Sequence, residues 1–393
     1  METRQASPVA PAPRRTEPRT GETTRQRAHD RLATFGAVLT EQAVSLYAAA
    51  TLRIGYGLFY LTFLLREFPH RDEIWGPGSP WTPALARELF DQSGWASILT
   101  LSDSRAYFEA CYTAALLTCA LFILGWRTRA TSILFAAMVA SFHARAIYMG
   151  DGGDNLVVLM AMYLMFTACG RRWSLDARRT RLRALAADTG RLSATPKALN
   201  LLSGLGLGRQ TMTTVLHNCA MFVIAAQVCI LYGCAGLYKV QGATWGNGTA
   251  LHYVLNQGLF RPWPTLSLMV DSHPLLVAVA CYMTVLLQVA FPFVLFSRFK
   301  YIVLAMLLGL HIGIAVVMGL PLFSAAMIIA DAVFLPDRFY LFLARTWRTR
   351  TAGWSVWWRS RSLVAPGRFG VRYPPSRLLR RDAAVAHDAD DLA

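Results

Sequence analysis

The sequence predicts an all-α fold, a polytopic helical bundle embedded in a membrane. Three observations carry this. Of 393 residues, 54% are hydrophobic and 16% are charged, against roughly 25% charged in soluble domains. Apolar runs alternate with short basic clusters rather than spreading evenly. Eight of those runs approach the ~20 residues that a helix needs to cross the hydrocarbon core.

The predicted spans are 46–65, 106–125, 130–149, 154–170, 218–238, 274–296, 300–318 and 321–336. The last is short and starts at Pro321. Before them, residues 1–45 read as a disordered basic tail, rich in Pro, Arg and Thr and lacking the apolar core of a signal peptide. After them, 337–393 read as a basic segment. Its first part, 337–362, mixes aromatics with arginines and suits an amphipathic helix on the inner leaflet or a solvated tail. The domains are therefore 1–45, the membrane domain 46–336, and 337–393.

Charge sets the orientation. The net charge is +16, but the arginines flank apolar runs instead of forming one basic face, which excludes a nucleic-acid partner. With the N-terminal tail inside, the basic segments around 126–130, 171–217, 297–300 and the C-terminal tail all fall inside. The segments 66–105, 150–153, 239–273 and 319–321 fall outside and are poor in unmatched positive charge. Eight spans with both termini cytoplasmic satisfy the positive-inside rule, in a multi-pass protein of the cell membrane whose first partner is the lipid bilayer. The seven cysteines lie mostly inside apolar runs, without a CxxC pair, and read as small buried residues rather than metal ligands. "GDGGDN" (150–155) lacks the length and the closing glutamate of a calcium loop.

Ionisable residues within spans are costly and are functional candidates for that reason. Arg53, in "TLRIGYGLFYLTFLL", suits either snorkelling and helix pairing or a direct role. His143 and Arg145, near the outer end of span three, face a tight loop in which Arg145 can meet Asp151 or Asp154, either as a salt bridge clipping spans three and four together or as part of a site. Asn155 or Asp154 is expected to cap span four. His311 lies in the outer half of span seven. Lys239 ends span five in "AGLYKVQGATW". The chain has only three lysines, Lys197, Lys239 and Lys300, among 39 basic residues. A lysine on the outer side, where a mere anchor is least expected, offers what arginine cannot: an amine able to release and accept a proton. Arg145, Asp151, Asp154, Lys239 and His311 all fall at one depth, which predicts an outward-opening polar cavity.

At these same residues the chain resembles the HTTM (horizontally transferred transmembrane) domain family, related to vitamin K-dependent gamma-carboxylases. "GDGGDNLVVLMAMYLMFTACGRRWSLDA" ends in an aromatic–Ser–x–Asp motif, Trp173 to Asp176. "AGLYKVQGATW" resembles the carboxylase stretch around a catalytic lysine. "LHIGIAVVMGLPLFSAAMI" resembles the family's histidine-bearing helix, and "RIGYG" its first span. The resemblance covers about 46–336. It implies a reduced quinone as cofactor, Lys239 as the base that deprotonates it, and His311 as a second site residue. The departures are a Tyr238–Lys239 pair where the carboxylase has two lysines, no histidine at the start of span four, and no large substrate domain after the last span. These leave an alternative class open, a non-enzymatic membrane partner in the maturation of, or immunity to, a secreted peptide.

Overall fold

The computed structural model describes residues 36, 39–188, 196–347 and 349, without side chains for 188 and 196–207. Nearly all of the basic tail expected over 1–45, and the segment from 350 onward, lie outside the described residues. The described residues form helices and no strands. The major ones are α1 Leu46–Arg66, α2 Pro83–Ser93, α3 Arg105–Leu124, α4 Thr128–Arg145, α5 Gly152–Leu164, α6 Leu175–Asp188, α7 Pro196–Val240, α8 Pro264–Asp271, α9 Pro274–Val294, α10 Lys300–Val317 and α11 Pro321–Asp331. Leu341 begins a second unit, of which 341–347 are helical.

Each expected span corresponds to a helix. Five helices are long and apolar enough to cross a membrane: α1, α3, the Gly208–Val240 part of α7, α9 and α10. α5 and α11 are shorter apolar helices, and α4, at 18 residues, carries Arg129 and Arg145. α10 shows why lipid is the fitting solvent. It is apolar on every face, yet only Leu304, Leu307 and His311 are buried. Ile302, Leu308, Ile312 and Val316 stand exposed. A helix that is hydrophobic all round has no water-facing side.

The bundle closes by antiparallel pairing of neighbours in the chain. α1 packs on α3, α3 on α4, α4 on α5, α7 on α9, and α10 on α11, while α11 returns to cover α1 and α5. Small residues set the closest approaches, as expected where van der Waals contact rather than hydrophobic exclusion drives helix association. A Cβ on Gly236 would stand 2.7 Å from Val289 Cγ2 and 2.9 Å from its backbone nitrogen. The "RIGYG" stretch of α1 divides its contacts in the same way. Gly55 admits Ile329 of α11, Gly57 admits Ile123 of α3, and the hydroxyl of Tyr56 donates to the Ala326 carbonyl of α11 at 3.0 Å.

Candidate functional site

One end of the bundle, where the chain turns at 125–128 and 170–176, is a hydrogen-bonded knot. Arg53 is wholly buried there. Its Nη1 donates to the carbonyls of Phe122 (2.5 Å) and Ile123 (2.6 Å), and its Nη2 to Trp173 (2.7 Å). Arg53 thus closes the C-terminus of α3, where orphan carbonyls favour a cation. Of the two readings open from sequence, helix pairing is the one its contacts describe. The Asp176 carboxylate caps α4, accepting from the amides of Arg127 (3.0 Å) and Thr128 (2.6 Å) and from the Thr128 hydroxyl (2.7 Å). Ser174 accepts from Ala177 at the start of α6 and donates to the Gly170 carbonyl. Arg127 and Trp173 are held at φ 44° and 45° and Gly125 at 68°. The Trp-Ser-Leu-Asp motif therefore has an architectural use here. Beside the knot, buried His217 accepts from the Ala168 amide at Nδ1, so its Nε2 carries the proton it gives to Val44 (2.7 Å).

At the opposite end lies a cavity of about 320 Å³. The C-terminal ends of α1 and α4 and the N-terminal ends of α5 and α11 form its walls. Aromatic rings line its body, Phe59, Tyr60, Phe63, Trp75, Phe142 and Phe323. Arg66, Glu67, His143, Asp151 and Asp154 supply its polar edge. Trp75 comes from the connection after α1 and is buried edge-on against Phe63 and Phe142, with ring centroids 5.6 and 5.4 Å away. Salt bridges hold that connection, Arg71 to Glu109 at 2.9 Å and Arg87 to Asp103 at 2.8 Å. The Arg87 guanidinium holds the Asp103 carboxyl below the usual carboxylate range.

Three of the sequence-selected residues, His143, Asp151 and Asp154, meet in this cavity. Two local expectations change. The N-cap of α5 is Asp151, not Asp154 or Asn155. Its side chain accepts from Gly153 (2.6 Å) and Asp154 (3.1 Å), and Asp154 closes a capping box by accepting from the Asp151 amide (2.9 Å). An acid at the first position and another three later satisfy two orphan amides reciprocally. Asn155 instead gives its side-chain amide to the Asp151 carbonyl at 3.3 Å. The expected salt bridge from Arg145 is also replaced. Arg145 turns inward, fully buried, and donates to the Gly76 carbonyl at 3.2 Å, while its Nε and Nη1 lack partners. Each acid caps α5 through one oxygen, Asp151 Oδ1 and Asp154 Oδ2, and the Arg145 guanidinium turns to Gly76 instead of to either.

Lys239 and His311 do not line the cavity. Lys239 is partly exposed at the last turn of α7. Its ammonium donates to the Ala235 carbonyl at 3.3 Å and stands 5.3 Å from the centroid of the Trp245 ring. The helix C-terminus and the indole face both favour a cation at this point. His311 is buried in the bundle. Its Nε2 lies 2.9 Å from the Tyr232 hydroxyl, which lies 2.9 Å from Asp331 Oδ2. Sequence reasoning did not select Tyr232 or Asp331. Asp331 had a visible signal, an acid within the segment expected as the last span, whereas Tyr232 is one tyrosine among 14.

Comparison with known proteins adds little to this geometry. No family model matches the chain, and no solved structure matches it. "Uncharacterized protein YitO" of Bacillus subtilis (strain 168) is similar, at 24% identity over 214 residues, 53% of this chain and 60% of that protein. The match thus spans less than two thirds of that relative's length.

Proposed function

We propose that the chain is an eight-span membrane protein with both termini cytoplasmic, related to the HTTM and vitamin K-dependent gamma-carboxylase group. In this reading the cavity opens outward and takes a reduced quinone. The cavity carries the proposal. Its volume of about 320 Å³ falls within the usual range for small-molecule sites, roughly 300–1,000 Å³. Aromatic walls suit a flat apolar ring, and the His143, Asp151 and Asp154 edge suits the hydroxyls such a ring carries. Positive-inside counting supports the orientation, because Arg127, Arg129, Arg171 and Arg172 gather at the Arg53 knot, whereas Arg66, Arg71 and Arg87 at the cavity end are paired with Glu67, Glu109 and Asp103. Lys239 remains the base that the resemblance implies, at the same outer level but outside the lining.

Binding and turnover are separable. Titrating purified protein with a quinone should quench tryptophan fluorescence saturably. Trp75→Phe should remove part of the signal, and Val158→Trp, which fills the cavity, should abolish saturation. Unsaturable quenching that Val158→Trp leaves unchanged would dismiss the site. Oxygen uptake with reduced quinone should fall in Lys239→Arg, since arginine keeps the charge and cannot supply a free amine. Full turnover in that variant would remove Lys239 from the chemistry.

A second reading is favoured by the engagement of Lys239 with Ala235 and Trp245 rather than with the cavity. Here the protein is a non-enzymatic partner of a secreted or membrane peptide. Pull-down of a co-encoded secreted protein, unaffected by Lys239→Ala, would support it, and failure to recover any partner would count against it.

A further inference from the structure

Behind the cavity the bundle holds a second chemical feature. Tyr232 on α7, His311 on α10 and Asp331 at the end of α11 form a continuous hydrogen-bonded line, Nε2 to Oη 2.9 Å and Oη to Oδ2 2.9 Å. At ~1.5 Å per residue, His311 lies about 9 Å from the end of α10 and Asp331 about 15 Å from the start of α11. The line is therefore deep in the bundle. His311 is 2% exposed and Tyr232 0%. Both outer atoms of the line, His311 Nδ1 and Asp331 Oδ1, are buried without a hydrogen-bond partner. A purely structural clasp gains nothing from an unpartnered atom at each end, since each costs desolvation free energy.

Phe323 joins this line to the cavity. Its ring lines the cavity wall, and its centroid lies 6.1 Å from the His311 ring. It follows the turn at Gly319, where φ is +67°, and it packs against Gly153, where a Cβ would stand 3.2 Å from Phe323 Cα. Phe291 stacks edge-on against Tyr232 at 4.9 Å, and Phe334 against Phe291 at 5.0 Å. The other titratable group near Asp331 is Tyr56 of α1, whose hydroxyl is committed to the Ala326 carbonyl.

We propose that His311, Tyr232 and Asp331 form a proton-relay site, separated from the cavity by the Phe323 ring. With Asp331 ionised, Tyr232 donates to Oδ2 and must accept from His311, so the proton of the neutral imidazole is on Nε2 and Nδ1 holds a free lone pair. A proton from hydronium in the cavity adds to Nδ1, leaving a water molecule. The Nε2 proton then passes to Tyr232 Oη, and the Tyr232 proton passes to Asp331 Oδ2. One proton enters, one carboxylate is neutralised, and imidazole and phenol end neutral with reversed hydrogen bonds. Chains of acidic and histidine groups at membrane depth carry protons in this way. The site works whether or not the cavity takes a quinol.

The test is infrared difference spectroscopy of purified protein in lipid after a pH jump and in heavy water. A protonated-carboxyl band absent from Asp331→Asn should report Asp331. Tyr232→Phe should slow its appearance about tenfold or more, the effect of removing one hydrogen bond from the path. His311→Gln should slow it likewise, and Phe323→Ala should speed its hydrogen–deuterium exchange. Size-exclusion profiles matching wild type certify the fold of each variant. If no band depends on Asp331, or if its kinetics are unchanged in both Tyr232→Phe and Phe323→Ala, the three residues are a clasp and the relay is overturned.

Discussion

Removing the Arg53 side chain should destabilise the bundle from its knotted end. Arg53→Ala deletes three charge-assisted hydrogen bonds of 2.5, 2.6 and 2.7 Å. Phe122 keeps the Gly125 amide at 3.1 Å as a donor to its carbonyl. The Ile123 and Trp173 carbonyls lose the donor that reaches them. Leaving a buried carbonyl unmade costs about 1–3 kcal/mol, so two cost about 2–6 kcal/mol. Deleting a buried charge returns part of this, because the guanidinium no longer has to be desolvated. The net expectation is about 3 kcal/mol. Arg53→Lys, with one nitrogen in place of a fork, should lose roughly half as much. The assay is thermal loss of the monodisperse peak in detergent. At a few degrees per kcal/mol for domains of ~150–250 residues, and less for a longer chain, the midpoint should fall by roughly 5 °C in Arg53→Ala and by less in Arg53→Lys. A midpoint within about 1 °C of wild type in both variants would refute the helix-closing role.

Asp176 gives a pH-dependent counterpart. Burial opposes its ionisation, but hydrogen bonds from the Thr128 amide, the Thr128 hydroxyl and the Arg127 amide outweigh burial, so its carboxyl sits below the ordinary value. A depressed folded value means stability present above the unfolded value near 3.9 and lost as pH falls through the lower folded one. Wild type should therefore lose stability below about pH 4, while Asp176→Asn should be weaker at neutral pH by about 1 kcal/mol and lose less on acidification. An acid profile identical in both proteins would contradict the cap. Gly236→Ala should cost about 1–3 kcal/mol, because the nearest backbone atom, Val289 N, is 2.9 Å from the new Cβ and has no side-chain freedom to yield. Gly309→Ala, which meets nothing within 4 Å, is the control and should leave the midpoint unchanged or slightly raised. Equal effects of the two substitutions would discount close packing of α7 on α9.

Much of the fold was legible in the chain because the length and apolarity of a segment are one-dimensional properties. Every segment expected as a span contains a helix, although those expected to end at 149 and 170 stop at Arg145 and Leu164, and five of the helices have the length and apolarity to cross. Lipid solvates no backbone amide, so a long apolar run must hydrogen-bond within itself, and helix follows from composition alone. The site was legible only in part. His143, Asp151 and Asp154 meet because the tight 150–153 turn makes them neighbours, a local matter. Arg145 is the exception: it turns inward to the Gly76 carbonyl 69 residues away, a long-range contact that no local spacing reveals.

What the sequence determined by itself was the apolar character of the long segments, their helical state and the rarity of charge inside them. Only the tertiary structure decided which of those charges meet. Arg53 answers the end of α3 across 69 residues, and Tyr232 finds Asp331 across 99. Hydropathy gives depth but not azimuth. Two polar residues expected at one level in a bundle can share a pocket or stand apart, as His143, which lines the cavity, and His311, which does not, do here. That choice belongs to the crossing and rotation of helices, set by where Gly55, Gly57 and Gly236 let a neighbour approach.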